Sequence, residues 1–336
     1  MKKKYNIAVV GATGIVGETL LDLLQEREFP IASLFPLASE RSAGEVVFFG
    51  DSEYAIETLD QFDFSDVDFA FFAAGSEVSA RYVPIAAKAG CIAIDKSNVF
   101  RYEQDVPLVI PEVNPHALTN YQAKKIIANP NCTTIPILIA IKPILDFFGV
   151  TRMNVATYQS VSGVGKKGIE ALATETADIL NGQAIESPAL SKQIAFNVLP
   201  KIDDFQDNGY TLEEMKLIWE TKKILDDNDI AVNVTAVRVP VFFGHSAAIH
   251  LETKKPVSAN VVRELLQKFP EIAVVDDQYD YPTPVTHAAD QDAVFVGRIR
   301  KDISHPNGLN LWVTTDNVRK GAALNAIQIA ETLIRV

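Results

Sequence analysis

Two residues of this 336-residue chain have side chains and settings suited to covalent chemistry on a carbonyl group. Cys132 lies in Asn129-Pro-Asn131-Cys132-Thr-Thr134, directly ahead of the long apolar run Ile135–Phe148. A cysteine at a helix N-terminus gains thiolate character from the dipole and the unpaired amides, and those amides can also hold an oxyanion. Among the histidines, His245 is the candidate partner. It lies in Arg238-Val-Pro-Val-Phe-Phe-Gly-His245-Ser, where a basic residue ends a strand-like run and a glycine precedes the imidazole. His250 falls within a strand-like segment, and His116, His287 and His305 lie in turn-like ones. Cys91, in the apolar run CIAI, reads as a buried strand residue. No His-Glu-x-x-His and no paired cysteine–histidine spacing is present, so no metal is assigned.

A second chemistry is written near the N-terminus. Gly11-Ala-Thr13-Gly14-Ile15-Val16-Gly17 follows a strand-like run and opens a helical one. In that context glycines permit the tight turn and the close approach of backbone to a pyrophosphate, which the helix N-terminus then holds. The spacing is G-x-x-G-x-x-G. About 25 residues further on, where dinucleotide folds meet the ribose, Ser39-Glu40-Arg41-Ser42 offers charge and hydroxyls for a 2′-phosphate. Glu40 suits an unphosphorylated ribose, so the loop favours NADP while leaving NAD open. A thiol beside a reducible dinucleotide defines a limited chemistry. An acyl phosphate acylates the cysteine, phosphate leaves, and hydride reduces the thioester; the reverse oxidises an aldehyde. His245 would serve the oxygens as general acid and base.

These residues need a frame. Tyr5–Val10, Phe69–Ala74 and Cys91–Ile94 read as buried strands, alternating with helical segments at 18–27 and 77–89. That alternation implies parallel strands and a Rossmann-type first domain. Beyond residue 130, strand-like runs at 152–160, 231–239, 246–253, 293–300 and 309–315 suit a mixed sheet with helices on one face. The helices fall at 135–148, with a kink or restart at Pro143, and at 170–181, 212–225 and 258–268. Residues 181–207 are turn-rich and read as an excursion from the compact fold. The last helix, 320–335, is positioned to return to the first domain.

Composition sets the outer bounds. With 31 Lys and Arg against 43 Asp and Glu, the net charge is −12, which opposes a nucleic-acid partner but not a small anionic one. Two cysteines give no disulfide framework, and the expected setting is the cytoplasm. The apolar part of MKKKYNIAVVGATG is too short for a secretory leader, and no apolar run reaches membrane-spanning length, so no membrane partner is expected.

Taken together and in order, the motifs carry a resemblance. GATGIVG at 11–17, SERSAG at 39–44, PNCTT at 130–134, YQSVSGVG at 158–165, EEMK at 213–216, RVPVFFGHS at 238–246, FVGRIRKD at 295–302 and DNVRKGAA at 316–323 span nearly the whole chain. The sequence resembles the aspartate-β-semialdehyde dehydrogenase family. The resemblance implies NADPH-dependent reduction of L-aspartyl-4-phosphate to L-aspartate-4-semialdehyde with release of inorganic phosphate, feeding lysine, threonine, methionine and diaminopimelate synthesis. N-acetyl-γ-glutamyl-phosphate reductase is the neighbouring alternative, but its acetylated substrate has no ammonium for an acidic partner. A nucleotide-binding relative without catalysis is the other; such a relative should have lost the thiol, the base or an anion clamp.

The implied roles are Cys132 as nucleophile, His245 as acid–base residue and Gln159 as holder of the acyl intermediate. Arg238 would clamp the α-carboxylate, Glu213 the amino group, and Arg101 with Lys216, aided by Asn131, the phosphate. Read alone, Glu213, Glu214 and Lys216 look like a solvated helix face. Gly11, Thr13, Gly14, Ile15, Val16 and Gly17 with Ser39, Arg41 and Ser42 would hold the dinucleotide, and Gly163, Gly165 and Asn317 its nicotinamide end. Val164 stands where many relatives carry alanine, and Glu45 where lysine is common. The implied fold is a Rossmann domain, 1–130 plus 318–336, with an α+β catalytic and dimerisation domain, 131–317, like that of glyceraldehyde-phosphate dehydrogenase. A homodimer is expected, with a tetramer as the alternative.

Overall fold

A computed structural model describes residues 3–42, 44–185 and 190–335. The chain divides into two compact units, Met1–Asn131 with Ala322–Val336, and Cys132–Gly321. The boundaries lie one and four residues beyond the expected 130 and 317.

The first unit is built on β1 (Tyr5–Val10), α1 (Ile15–Glu26), β2 (Ile31–Ala38), a β3–β4 hairpin (Val46–Phe49, Ser52–Ala55), β5 (Glu57–Thr58), β6 (Phe69–Phe72), α2 (Ser76–Lys88), β7 (Ile92–Asp95) and β8 (Ile126–Ala128). Its sheet runs β5-β2-β1-β6-β7-β8, and every pair is parallel. The order reverses beside β1, so the glycine turn after β1 emerges at the switch point where such sheets bind ligands. Leu20, Leu21, Leu23 and Leu24 of α1 are at most 3 % exposed, each contributing about 1.5–3 kcal/mol by burial. The C-terminal helix α7 (Leu324–Arg335) returns to this unit, where Ile327, Ile329 and Ala330 join the same core. A two-pronged pair, Arg27 Nε and Nη2 to Glu331 at 2.7 Å each, ties α1 to α7.

Strand β2 escapes a reading by periodicity because Pro36 interrupts it. The fold accommodates the proline: Leu37 faces β1, so Pro36 faces the outer edge, where β5 pairs only with Leu37 and Ala38.

The second unit contains α3 (Thr134–Phe148), β9 (Val150–Gln159), α4 (Lys166–Leu180), α5 (Leu212–Leu225), β10 (Ala231–Arg238), β11 (His245–Thr253), α6 (Ala259–Leu266), β12 (Ile272–Val274), β13 (Val294–Lys301) and β14 (Gly308–Thr315). Its mixed sheet runs β10-β9-β11-β14-β13-β12, with β9–β10 and β12–β13 parallel and the others antiparallel. One face is covered by α3, α5 and α6. Helix α3 is apolar nearly all round, as a helix sunk in a core must be, and runs through Pro143 as one element.

The expected excursion at 181–207 is a correction. Residues 186–189 lie outside the described residues, but its later part is built into the fold. Ile194 and Ala195 are buried with Val161 and Leu172, and both of their amides donate to the Glu175 carboxylate, at 2.7 and 3.0 Å. Leu199 then exchanges both backbone hydrogen bonds with Arg238 at 2.9 Å, extending the edge of β10. A turn-rich composition concealed a segment that fixes the backbone of a candidate site residue.

Candidate active site

In the first unit, the glycine turn borders a cleft of about 810 Å³ lined by Gly11, Thr13, Gly14, Ser39, Glu40 and Arg41, among others. Gly11 adopts φ +84°, which favours glycine. A Cβ on Gly17 would lie 2.1 Å from the Gly11 carbonyl oxygen, so α1 can sit this close to β1 only without one. Gly14 caps α1 and no side chain does, which leaves the first-turn amides to a ligand. Ile15, Val16 and Gly17 form the first turn of α1, with Val16 packed against the apolar core. Ser42 Oγ lies 3.4 Å from Thr13 Oγ1, while Ala43 of this loop lies outside the described residues. The cleft therefore fits a dinucleotide: open backbone donors at one end and Ser39 with Arg41 at the other. Glu40 lines it; Glu45 is exposed and does not.

Arg81, Asp60 and Tyr82, which no sequence motif marks, also line the cleft. Tyr82 hydrogen-bonds to Asp60, and Arg81 Nη1 lies 3.8 Å from the same carboxylate. The only signal was the position of Arg81 on α2, four residues after Glu77.

The second unit holds the other cluster. Cys132 immediately precedes Thr133, the cap of α3, and is partly exposed; a Cβ on Gly321 would lie 3.3 Å from its own Cβ. Cys91 is fully buried in the first unit, and burial pushes its thiol up to about 12. Arg238, at the end of β10, is 7 % exposed and donates to the Ser160 carbonyl at 2.8 Å. Burial lowers its pKa, opposed by the acidic groups around it, Glu213 foremost and then Cys132 and Asp203.

Glu213 and Glu214 correct the expected solvated face: each is only 7 % exposed. Thr211 and Glu214 form a reciprocal capping box at the start of α5, which turns this end of the helix inward. Glu214 is fully occupied, accepting from the amides of Thr211 at 2.7 Å and of Ala236 on β10 at 2.9 Å. Glu213 instead faces the site, meeting Gln159 Nε2 at 3.2 Å and Lys216 Nζ at 3.1 Å. Lys216 also holds Asp203 at 2.7 Å. Burial works against its charge, but the two carboxylates outweigh that and raise its pKa.

His245, at the start of β11, is 2 % exposed. Burial, reinforced by the Arg238 charge, drives its pKa well below 6.5, so the ring is neutral. Gly163 packs against this pair: a Cβ there would lie 2.9 Å from Arg238 Nη1 and 3.2 Å from His245 Nε2. Gly165 holds φ +84° ahead of α4, with open space around it. Asn317 is engaged behind the histidine, accepting from the Gly244 amide at 2.9 Å and meeting the hydroxyls of Ser160 and Ser162. Thus Cys132, Gln159, Gly163, Glu213, Lys216, Arg238, His245 and Asn317 belong to the second unit, and Arg101 and Asn131 to the first. Arg101 is 5 % exposed and donates to the Lys96 carbonyl at 2.5 Å; Asn131 is 7 % exposed.

This arrangement matches known proteins over its whole length. The family described as semialdehyde dehydrogenase, NAD binding domain, matches residues 6–121, and the semialdehyde dehydrogenase dimerisation domain matches 141–320. An aspartate-semialdehyde dehydrogenase of Shewanella sp. (strain DB6705) is 57 % identical over 335 residues, covering 100 % of this chain and 99 % of that one. The chain belongs to the aspartate-semialdehyde dehydrogenase family. Among solved family members, aspartate semialdehyde dehydrogenase II of Vibrio cholerae, complexed with ASA, superposes with a TM-score of 0.98 at 54 % identity, covering 99 % of each chain. The Candida albicans enzyme, solved with NADP, gives 0.76 at 26 % identity over 98 % of each chain. The family architecture, a Rossmann domain followed by a dimerisation domain, is the one described above.

Proposed function

We propose that this protein reduces L-aspartyl-4-phosphate to L-aspartate-4-semialdehyde with NADPH, releasing inorganic phosphate, through a thioester on Cys132. The reading makes it a step of lysine, threonine, methionine and diaminopimelate synthesis in the cytoplasm. Its principal support is a cysteine at the head of an apolar helix, in the same unit as a buried arginine and a buried neutral histidine.

Each side chain then has a task. The Cys132 sulfur attacks the acyl carbon, helped by the amides opening α3 and by the Arg238 charge. Arg238 is suited to the α-carboxylate, since guanidinium and carboxylate pair in a two-pronged way. Glu213 receives the substrate ammonium, and Gln159, held by Glu213, orients the acyl group. Arg101, Asn131 and Lys216 take the phosphate; for this, Lys216 exchanges part of its contact with Asp203 for the substrate. NADPH, when bound, supplies the hydride that reduces the thioester. Ser39, Arg41 and the glycine turn hold it in the first unit, and Gly163, Gly165 and Asn317 bound its reactive end. The open face of the β9–β14 sheet, which presents Asn154, Tyr158, His250 and Trp312, pairs with a second copy to give a homodimer.

The experiment runs the reaction in reverse. L-aspartate-4-semialdehyde and phosphate are supplied with NADP or NAD, and reduced cofactor is followed. Phosphate-dependent reduction with preference for NADP is expected, and N-acetylglutamate semialdehyde should be a poor substrate. Preference for the acetylated aldehyde would overturn the reading.

A further inference from the structure

Asp203 is held in a backbone conformation that most residues avoid. It adopts φ +69°, in the left-handed region, which aspartate and asparagine enter more readily than other residues with a side chain. Both of its flanks are fixed. On one side Leu199 exchanges backbone hydrogen bonds with Arg238, and Ile202 is buried. On the other, the Leu212 amide donates to the Asp204 carbonyl at 2.8 Å, and the Gln206 amide donates to the Tyr210 carbonyl at 2.7 Å. The two carboxylate oxygens are then divided. Oδ1 accepts from the Asp204 amide at 3.2 Å, and Oδ2 accepts from Lys216 Nζ at 2.7 Å. Lys216 lies deeper than its partner, its side chain 13 % exposed against 34 % for Asp203, so the carboxylate rather than the ammonium has water to turn to.

The cluster sets two cations, Lys216 and Arg238, against two carboxylates, Glu213 and Asp203. Lys216 meets both acids, and the charge of both reaches Arg238. The proposed substrate redistributes these pairings. Its ammonium goes to Glu213, its α-carboxylate to Arg238 and its phosphate to Lys216. Of the four groups, Asp203 alone gains no new partner.

We propose that Asp203 is an internal counter-anion, whose carboxylate holds Lys216 in the empty site, yields it to incoming phosphate and takes it back as phosphate leaves. The inference rests on the reading that Lys216 takes the phosphate. The carboxylate has two effects of opposite sign. It keeps a largely buried ammonium charged and aimed before substrate arrives. It also weakens the hold on phosphate, because the anion must displace a like charge or lie beside it. A site that reduces its thioester only after phosphate has gone gains from letting phosphate go readily. Asp203 acts through Lys216, so it is a positioning residue, and the sign of its effect is diagnostic. An aspartate that only aimed the lysine would weaken phosphate binding when lost; a counter-anion strengthens it.

Asp203→Asn keeps the shape and the left-handed backbone and removes the charge. Inorganic phosphate is titrated into the full-length protein at constant low ionic strength, and the rise in melting temperature gives its affinity. Phosphate should bind roughly tenfold more tightly to Asp203→Asn than to wild type, with the gain shrinking as sodium chloride screens it. Asp203→Glu, which keeps the charge, should return the affinity toward wild type. In phosphate-dependent oxidation of L-aspartate-4-semialdehyde, KM for phosphate should fall by the same factor in Asp203→Asn, while KM for the aldehyde, which carries no phosphate, changes little. Where Asp203→Asn fails to fold, Asp203→Gly suits the same φ and carries the comparison. Unchanged or weaker phosphate binding without the carboxylate overturns the proposal, and so does a phosphate-induced rise that survives Lys216→Met. Tighter phosphate binding in the variant, with no turnover of the aldehyde by wild type, would leave the counter-anion standing and count against the proposed reaction.

Discussion

Gly163 shows how closely the site is drawn at the scale of one residue. The sequence motif placed it in a loop near the nicotinamide, yet its nearest neighbours are Arg238 and His245. Gly163→Ala would push the Arg238 guanidinium off the Ser160 carbonyl, so kcat/KM should fall by about a hundredfold or more while the melting temperature changes little. Steady-state kinetics and a thermal scan check this together. The two cysteines give a sharper contrast. Cys91 is buried with its pKa pushed up to about 12, so it should resist alkylation in the native state, and one label per chain, on Cys132, is expected by mass spectrometry. Two equally fast labels would contradict that assignment.

At the scale of elements, the start of α5 does the positioning. Thr211, Glu214 and the Ala236 amide stitch the helix to β10, the strand that ends in Arg238. Glu214→Ala frees two buried amides and should cost about 1–3 kcal/mol, read as a lower urea midpoint. Because Glu213 and Lys216 ride on the same turn, KM for the phosphorylated substrate should rise with it. The sequence showed T-x-x-E at 211–214, a capping box in outline, but charge density made the helix look solvated. Burial there comes from β10, whose Ala236 amide lies 22 residues beyond Glu214, and from the preceding segment folding back so that Asp203 meets Lys216; helix periodicity registers neither. For the same reason the turn-rich 181–207 stretch looked like an excursion. Its anchor is Glu175, one buried carboxylate on α4 whose partner amides lie 19 and 20 residues away.

For the whole molecule, most of the plan could be read from local pattern. The alternation of strand and helix around the glycine turn, the longer strands after residue 150 and the terminal helix all have local signatures. Strand β2 did not, because Pro36 is allowed only by an outer edge that local pattern cannot reveal. Among the described residues no helix is long and apolar enough to cross a membrane. Likewise Cys132 and His245 were legible as types in context, whereas the Ser160–Asn317 network joins residues 157 apart and leaves no periodic trace.

Stability carries a further signature of the site. The folded pKa of His245 lies well below 6.5, so as pH falls through that value the unfolded chain takes up a proton that the native ring refuses. This contribution is complete above about pH 6.5 and is lost as pH falls toward the folded pKa. His245→Gln should therefore lose stability less steeply than wild type between about pH 7 and 5 in urea titrations.

The central claim is a thioester on Cys132, and a burst measurement addresses it most directly. Enzyme, L-aspartate-4-semialdehyde and NADP are mixed without phosphate, and NADPH is followed by stopped flow. One equivalent of NADPH per active site is expected, then a halt that added phosphate relieves, and no burst from Cys132→Ser. A burst that survives Cys132→Ser, or steady turnover that ignores phosphate, would contradict it.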